Sequence, residues 1–91
     1  MTRAEASAEV RAILRTPMFY LRSARSGPGR FQVWRDEYLG TMTIPNILAK
    51  GESWEHVLDR LRANLADKSL GGIWRNLRSI VADAERREAE R

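Results

Sequence analysis

Cationic and aromatic residues alternate between positions 20 and 34 in a pattern that suits contact with phosphates and planar rings. If residues 18–24 and 30–35 form strands, the even-numbered side chains of both strands share one face. Arginine neutralises phosphate, and aromatic rings stack on bases. The sequence therefore predicts a nucleic-acid-binding face with Arg25 at its edge, made of Tyr20, Arg22, Arg25, Arg30, Gln32 and Trp34.

Two arrangements of these six residues stay open at the level of sequence. In the first, their rings and guanidinium groups face solvent and can grip an anionic partner. In the second, the N-terminal helix covers Tyr20 and Trp34, and arginine stems pack over the rings. A sheet enclosed between helices would produce the second arrangement and would remove the phosphate-seeking surface.

The net charge of +4 lies entirely in the first half of the chain. Residues 1–50 hold eight Lys or Arg against four Asp or Glu, whereas residues 51–91 hold eight of each. The segment 15–35 contains five arginines and no acid. Such a patch attracts phosphate or acidic protein surfaces. The expected partner is nucleic acid, with DNA favoured over RNA, or an acidic or nucleic-acid-handling protein surface.

Groups that could carry catalysis or bind a metal are sparse. The single histidine, His56, falls in the first turn of a predicted helix and lacks an evident nucleophile or orienting partner. The acid pairs Asp36–Glu37 and Glu52–Glu55 suit a turn and a helix start, where acids are favoured for structural reasons. No spacing of His, Cys and Asp suggests zinc. We therefore expect no enzyme activity, no catalytic residue, no metal and no cofactor.

The chain has no cysteine and no long apolar run. Without cysteine it forms no disulfide, which suits a reducing cytoplasm. No apolar run approaches the roughly 18 residues that a membrane-spanning helix needs, and residues 1–15 carry charges throughout, unlike a signal peptide. The expectation is a cytoplasmic protein with no membrane partner.

Three helices are predicted from capping residues and apolar spacing. Residues 2–5 have the form of a capping box and begin a helix at Arg3, which should end at Arg15 because Pro17 follows. Ser53 is the N-cap of a second helix. The second and third helices each carry one apolar stripe: Trp54, Val57, Leu58, Leu61 and Leu65, then Ile73, Trp74, Leu77, Ile80, Val81 and Ala84.

The region between the first two helices predicts an antiparallel β-meander. Strands are expected at residues 18–24, 30–35 and 38–44. Turns are expected at Ser26–Gly29 and at Asp36–Glu37. Pro45–Asn46 should end the third strand, and residues 47–50 form either a loop or a short fourth strand.

Together these elements predict one α+β domain over residues 1–91, in the order α-β-β-β-α-α: an N-terminal helix, a three-stranded antiparallel β-meander and two C-terminal helices. Alternating charge in residues 85–91 predicts a frayed helical tail. The stripe of the third helix continues into that tail, so residues 73–91 could pair with a second copy. Homodimerisation is an expectation because small domains often gain core by pairing.

Part of this meander has the pattern of a known DNA-binding sheet. Gly27 and Gly29 lie in the turn, Trp34 in the second strand, and Leu39-Gly40-Thr41-Met42 in the third strand. In this respect residues 19–42 resemble AP2-type DNA-binding domains and the arm-binding domains of tyrosine recombinases. In those families sheet arginines and the aromatic enter the major groove. The resemblance implies DNA contacts by Arg22, Arg25, Arg30 and Trp34. The chain departs from the pattern at Met42, where an aromatic is usual, and in the delayed start of the next helix.

A second resemblance covers residues 44–58. Ile44-Pro45-Asn46, followed by Gly51-Glu52-Ser53-Trp54-Glu55, is similar to the segment that leads into the helix of HicB-like antitoxin domains. This resemblance implies a small sheet against helices that binds a toxin partner. The usual Asp-Leu-Pro-Gly stretch after the proline is missing, and Gly-x-Ser-x-Glu is also a good helix start by itself.

Two functions follow as hypotheses. The first is a small non-enzymatic, nucleic-acid-binding regulatory module that uses the basic and aromatic sheet face. The second is a protein-interaction module, such as an antitoxin or a phage or mobile-element inhibitor of a bacterial defence complex (anti-CRISPR-type). Tryptophan is favoured at interface hot spots, and the chain holds three: Trp34, Trp54 and Trp74.

Overall fold

One helix, three antiparallel strands and two further helices follow one another along the chain, as the sequence predicts. The structure is a computed structural model that describes all 91 residues. The elements are α1 (Arg3–Leu14), β1 (Tyr20–Ser23), β2 (Phe31–Leu39), β3 (Met42–Gly51), α2 (Trp54–Ala66) and α3 (Ile73–Ala89). The strands form one open sheet in the order β1-β2-β3, so the α+β class and the element order are confirmed.

The capping signals that predict the starts of α1 and α2 are present as hydrogen bonds. The Thr2 hydroxyl accepts from the Glu5 backbone N–H at 3.1 Å, and the Glu5 carboxylate accepts from the Thr2 backbone N–H at 3.1 Å. At α2, the Ser53 hydroxyl accepts from the His56 backbone N–H at 3.1 Å. Both helices therefore begin where a side-chain oxygen satisfies an orphan backbone donor.

The hairpin between β2 and β3 turns four residues later than the sequence predicts. β2 runs through the expected turn at Asp36–Glu37, and the two-residue loop is Gly40–Thr41, flanked by the pair Leu39 and Met42. Gly40 has φ of +65°, and a type II′ hairpin turn needs positive φ at this first loop position. The expected third strand 38–44 was therefore wrong at its start, because Tyr38 and Leu39 belong to β2 and Gly40–Thr41 form the loop.

β3 also continues through Pro45, which was expected to end it. Pro45 pairs with Asp36 in the edge strand of the sheet. Proline lacks an N–H, but an edge strand tolerates it because its outer side needs no ladder bond. Residues 47–50, predicted to be either a loop or a short fourth strand, instead belong to the second half of β3.

A bulge in β3 sets which residues enter the core. The register shifts so that Val33 pairs with Ala49 and Trp34 with Ile47, which leaves Leu48 as the extra residue. Leu48 and Ala49 are consecutive, yet both are buried. A bulge permits this because two residues of one strand oppose a single residue of its neighbour.

All three helices pack on the same side of the sheet. A single hydrophobic core joins α1, α2 and α3 to one face of the strands. Its buried members are Ala6, Val10, Leu14, Leu21, Val33, Leu48, Ala49, Trp54, Val57, Leu58, Leu61 and Leu77. The N-terminal helix therefore contributes to this core and does not enclose the sheet from the other side.

α3 attaches to the core mainly through Leu77, its one buried residue, with Ile73, Trp74 and Ile80 packed against the same cluster. The helix continues to Ala89, and Glu88 forms an ion pair with Arg15, just beyond the end of α1. Fraying of residues 85–91 and pairing of residues 73–91 with a second copy stay predictions. None of the three helices has the length and apolarity that crossing a bilayer needs.

Candidate functional site

The sheet face opposite the helices carries four of the six predicted contact residues. Leu21 and Val33 point into the core, so their strand neighbours Tyr20 and Trp34 point away from it. Arg22 and Gln32 form the next pair on that same side. We call this surface the open face. The helices pack on the opposite side and do not cover these four residues, as in the first of the two arrangements considered from sequence, but Tyr20, Gln32 and Trp34 are half-buried and Arg22 packs over the two rings, as in the second.

Strand register arranges the open face as two parallel rows that cross all three strands. Tyr20 pairs with Trp34 and Trp34 with Ile47, which defines an aromatic row. The neighbouring cationic row consists of Arg22, Gln32 and Lys50, paired in the same way. The Cα atoms of Arg22 and Lys50 are two strand spacings apart, about 10 Å. One side of the open face therefore presents rings, and the adjacent strip presents positive charge.

The rings of the aromatic row lie nearly parallel beneath an arginine. The Tyr20 and Trp34 ring centroids are 6.4 Å apart, with an angle of 15° between the ring planes. The Arg22 guanidinium carbon lies 5.1 Å from the Trp34 centroid and 6.0 Å from that of Tyr20. Arg22 itself remains exposed. The three side chains thus form one cation–π cluster that stands in contact with solvent.

Gln32 fixes the orientation of the tryptophan. Its Oε1 accepts a hydrogen bond from Trp34 Nε1 at 2.7 Å, and its Nε2 donates to the Gly29 carbonyl at 3.0 Å. Gly29 has φ of +72°, and a Cβ at this position would lie 3.0 Å from Lys50 Cδ. The β1–β2 loop is therefore tied to Trp34 through Gln32, while the glycine leaves room for the lysine stem.

An acid bounds the aromatic row on the side away from the cations. Tyr20 donates its hydroxyl hydrogen to Asp36 Oδ1 at 2.9 Å. Desolvation of the hydroxyl, followed by the hydrogen bond and the charge of Asp36, raises the pKa of Tyr20 above its usual value. Tyr20 therefore stays a neutral hydrogen-bond donor, and Asp36 fixes the position of its hydroxyl.

Two of the six predicted residues lie apart from this cluster. Arg25 is exposed in the β1–β2 loop. Arg30 precedes β2, and its guanidinium carbon lies 4.6 Å from the centroid of Phe31, a ring that packs against Trp54 in the core. The Arg30 Nε is buried without a hydrogen-bond partner. Arg30 therefore packs on the rim of the core, whereas Arg25 extends the positive charge beyond the sheet.

Three of the five arginines in segment 15–35 are engaged in contacts within the fold, so the segment presents less positive charge to solvent than its sequence suggests. Arg15 forms an ion pair with Glu88 of α3. Arg35 points to the helix side, where it donates to the Met18 carbonyl at 2.7 Å and to Asn76 Oδ1 at 3.4 Å. Of the five arginines, Arg22 and Arg25 remain exposed without an acidic partner. The open face itself therefore presents Arg22 and Lys50 as exposed cations, and Arg25 adds a third in the adjoining loop.

The contribution of β3 to this surface was not predicted from the sequence. Ile47 and Lys50 complete the two rows, but they lie in residues 47–50, for which the sequence was compatible with either a loop or a short strand. The alternation of residues 47–50 is interrupted by the bulge at Leu48, which hides the strand period. Cross-strand pairing of Lys50 with Gln32 depends on this register shift, so neither propensity nor local spacing reports it.

His56 lies on a separate, small cleft. It is exposed in the first turn of α2 and lines a space of about 190 Å³ with Lys50 and Arg60, near Glu52. No group of three or more His, Cys, Asp or Glu side chains is placed to hold a metal ion. The cleft adds one cationic group, Arg60, near the Lys50 end of the cationic row.

The β2–β3 hairpin extends past β1 as a two-stranded projection. β1 pairs only with Phe31–Trp34, so residues 35–46 pair with each other alone, and we call them the hairpin arm. Its tip exposes three large apolar side chains, with 64% of Tyr38, 54% of Leu39 and 63% of Met42 accessible. This is a second surface that the core does not use.

Comparison of the chain with protein-family models, with curated proteins and with solved structures finds no match.

Proposed function

We propose that this protein is a small nucleic-acid-binding regulatory module that contacts its ligand through the open face. The observation that supports this proposal is the cluster of Tyr20, Trp34 and Arg22 on a sheet face without a helix over it, beside the cationic row. Positive charge next to half-exposed rings complements a polymer whose backbone is anionic and whose bases are planar. A cluster of this composition needs no catalytic group.

Phosphate contacts come from the cationic row and the adjoining loop. Arg22 and Lys50 are exposed, and Arg25 lies nearby in sequence on the loop that leaves β1. Neutralising a phosphate releases condensed counterions, so each such contact makes the affinity fall with salt. Two or three contacts predict a moderate salt dependence of the affinity. Proteins that make 6–10 phosphate contacts lose about 10³–10⁵ in affinity between 50 and 200 mM salt, and the loss expected here is smaller.

Ring contacts come from the aromatic row once Arg22 moves. A cation–π contact at an exposed site contributes about 0.5–1 kcal/mol, whereas stacking of a base on an aromatic side chain contributes about 1–3 kcal/mol. A base can therefore replace the guanidinium on the Trp34 ring, and the released guanidinium can turn to a phosphate. The exchange keeps the ring covered in both states.

The test compares the salt dependence of binding in four proteins: wild type, Arg22→Ala, Lys50→Ala and the control Arg75→Ala. Arg75 is exposed on α3, on the helix side of the molecule, and its removal changes the net charge equally. Fluorescence anisotropy with labelled DNA and RNA from about 50 to 200 mM salt measures the affinity. We expect weaker binding and a smaller salt slope in the first two variants only.

Two results would contradict the proposal. One is the absence of association with any DNA or RNA at low salt while circular dichroism shows a folded protein. The other is an equal loss of affinity in all three variants, since that pattern reports net charge rather than the open face.

A second candidate function is a protein-interaction module that uses the hairpin arm. The exposed side chains of Tyr38, Leu39 and Met42 support it, because large apolar groups at one tip are more than a solvated hairpin needs. Such an arm suits insertion into an apolar groove of a protein partner, as an antitoxin or an inhibitor of a bacterial defence complex would do. The basic open face could then lie against an acidic or nucleic-acid-handling part of the same partner.

The two candidates are separated by variants on different surfaces. If the second candidate function is correct, a pull-down with the wild type or with Arg22→Ala recovers one stoichiometric protein partner, with or without nuclease. The double variant Tyr38→Ser/Met42→Ser does not recover it. The identified partner is then purified and bound again in isolation. Recovery that disappears on nuclease treatment contradicts the second candidate.

A further inference from the structure

The positive charges of the open face lie on one side of the aromatic row only. Along β2 the face presents Gln32 within the cationic row, then Trp34, then Asp36. Asp36 lies four residues beyond Gln32, the middle residue of the cationic row, which is about 13 Å along the strand. The face therefore changes from positive charge, through rings, to negative charge over that distance.

From this polarity we infer that the open face binds single-stranded nucleic acid in preference to a duplex and with little preference for base sequence, an inference that rests on the proposed function. One phosphodiester chain runs across the strands along the cationic row, over Arg22 and Lys50. Its bases point over the aromatic row toward Asp36. A single strand needs one line of positive charge, and the open face offers one.

A duplex places phosphates on both sides of any groove that receives a protein. The major groove is about 12 Å wide, so a sheet inserted with its cationic row at one edge meets the second phosphate chain about 12 Å away. On this face that position is occupied by Asp36. Two like charges at close range repel, so the second chain would meet an unfavourable potential.

Base-edge readout is limited because the polar side chains beside the rings already have partners. Gln32 uses both its amide oxygen and its amide nitrogen within the protein, toward Trp34 and Gly29. The Tyr20 hydroxyl likewise donates to Asp36 Oδ1 at 2.9 Å. Stacking on an aromatic ring tolerates any base, since every base has a π-face.

The experiment measures the affinity of the full chain for three labelled probes of about 12 nucleotides, a length within the range of single-strand sites. The probes are oligothymidine, a mixed-sequence single strand and the duplex of that mixed sequence. We expect the two single strands to bind within about threefold of each other, and the duplex to bind about tenfold more weakly at equal salt. Trp34→Ala should reduce binding of the single strands, and Trp74→Phe serves as the tryptophan control.

Asp36→Asn tests the electrostatic cause directly. The amide retains an oxygen that can accept from Tyr20 and removes the negative charge, so the aromatic row is expected to keep its geometry. We expect this variant to bind the duplex several-fold more tightly than the wild type does, with a smaller change for the single strands.

The outcomes separate this inference from the proposed function. A duplex that binds as tightly as the single strands, with Arg22→Ala weakening both, overturns the single-strand inference and leaves nucleic-acid binding in place. A preference above about tenfold between the two single strands overturns the sequence tolerance. Failure of all three probes, each tested as DNA and as RNA, to bind the folded wild type at low salt removes the proposed function itself.

Discussion

The indole of Trp34 is held by Gln32, two residues earlier on the same strand. Trp34 Nε1 donates to Gln32 Oε1 at 2.7 Å, and the other end of the amide holds the Gly29 carbonyl at 3.0 Å. Residues at i and i+2 share a strand face, so β2 itself brings these groups together. Because the protein fixes the Trp34 rotamer before any ligand binds, less side-chain conformational entropy is lost on binding.

Gln32→Leu should loosen the open face without unfolding the protein. The substitution leaves Trp34 Nε1 and the Gly29 carbonyl without their partner, and both are partly buried, so we expect a loss of about 1 kcal/mol in the free energy of unfolding. Urea denaturation of the four members of a double-mutant cycle with Trp34→Phe measures it. The cost of Gln32→Leu should shrink when the indole N–H is already absent, and an unchanged cost would contradict the role of this hydrogen bond.

Gly40→Ala should destabilise the hairpin through backbone conformation alone. Gly40 has φ of +65°, and a Cβ there would meet no atom within 4 Å, so no clash contributes. The expected loss is about 1 kcal/mol, the cost of holding an L-residue in the left-handed region. Gly71→Ala is the matched control, because its φ is not positive and the nearest atom to its Cβ is 4.0 Å away. Equal effects of the two substitutions on the urea midpoint would refute the conformational explanation.

Leu77→Ala tests whether α3 is an integral part of the core. Leu77 is fully buried, so its truncation should cost about 2–5 kcal/mol through lost burial and a residual cavity. Leu39→Ala removes the same atoms from the hairpin arm, where the side chain is 54% exposed, and should change stability little. Thermal unfolding followed by circular dichroism provides the comparison. A small effect of Leu77→Ala would mean that the core is complete without α3.

Acid should weaken the contacts that Glu5 and Glu88 make. Hydrogen bonds from the backbone and hydroxyl of Thr2 lower the pKa of Glu5, and the Arg15 guanidinium lowers the pKa of Glu88, each below the ordinary value of 4.5. The folded state thus binds fewer protons than the unfolded state in this range. Their stabilising contribution is complete above pH 4.5 and is lost as the pH falls through the lower, folded-state pKa values.

The measurement is the urea midpoint between about pH 5 and pH 3 for the wild type and Glu88→Gln. The variant has no carboxylate to protonate at this position, so its midpoint should fall less over that interval. Glu90→Gln is the control, because Glu90 forms no ion pair. Identical pH profiles for wild type and Glu88→Gln would exclude a contribution from the ion pair with Arg15.

Local signals in the sequence were sufficient for the helices. The Thr2 and Ser53 caps, the proline after α1 and the apolar stripes of α2 and α3 act within one or two turns, so each can be read from neighbouring residues. Period-two alternation likewise placed Tyr20 with Arg22 and Gln32 with Trp34 on shared faces. These are properties of short segments, and tertiary contacts did not change them.

The strand ends were predicted less well because two plausible turn signals compete in one segment. Asp36–Glu37 and Gly40–Thr41 both suit a turn, but only the later one leaves β2 and β3 able to pair over nine positions, from Phe31–Gly51 to Leu39–Met42. Pro45 reads as a strand breaker unless it is known to lie on an edge. Both decisions depend on which strand lies beside which, and pairing between distant segments is absent from local propensity.

The sequence by itself determined the helices, the order of elements and the alternation that gives each strand an apolar and a polar side. Only the tertiary structure decided that all three helices share one side of the sheet, that Lys50 joins Arg22 across β2, and that Arg15, Arg30 and Arg35 are engaged elsewhere. The physical reason is the separation along the chain over which each interaction acts. Caps and side-chain periodicity act over a few residues, whereas charge pairing and the coverage of a face depend on contacts between segments far apart in the chain.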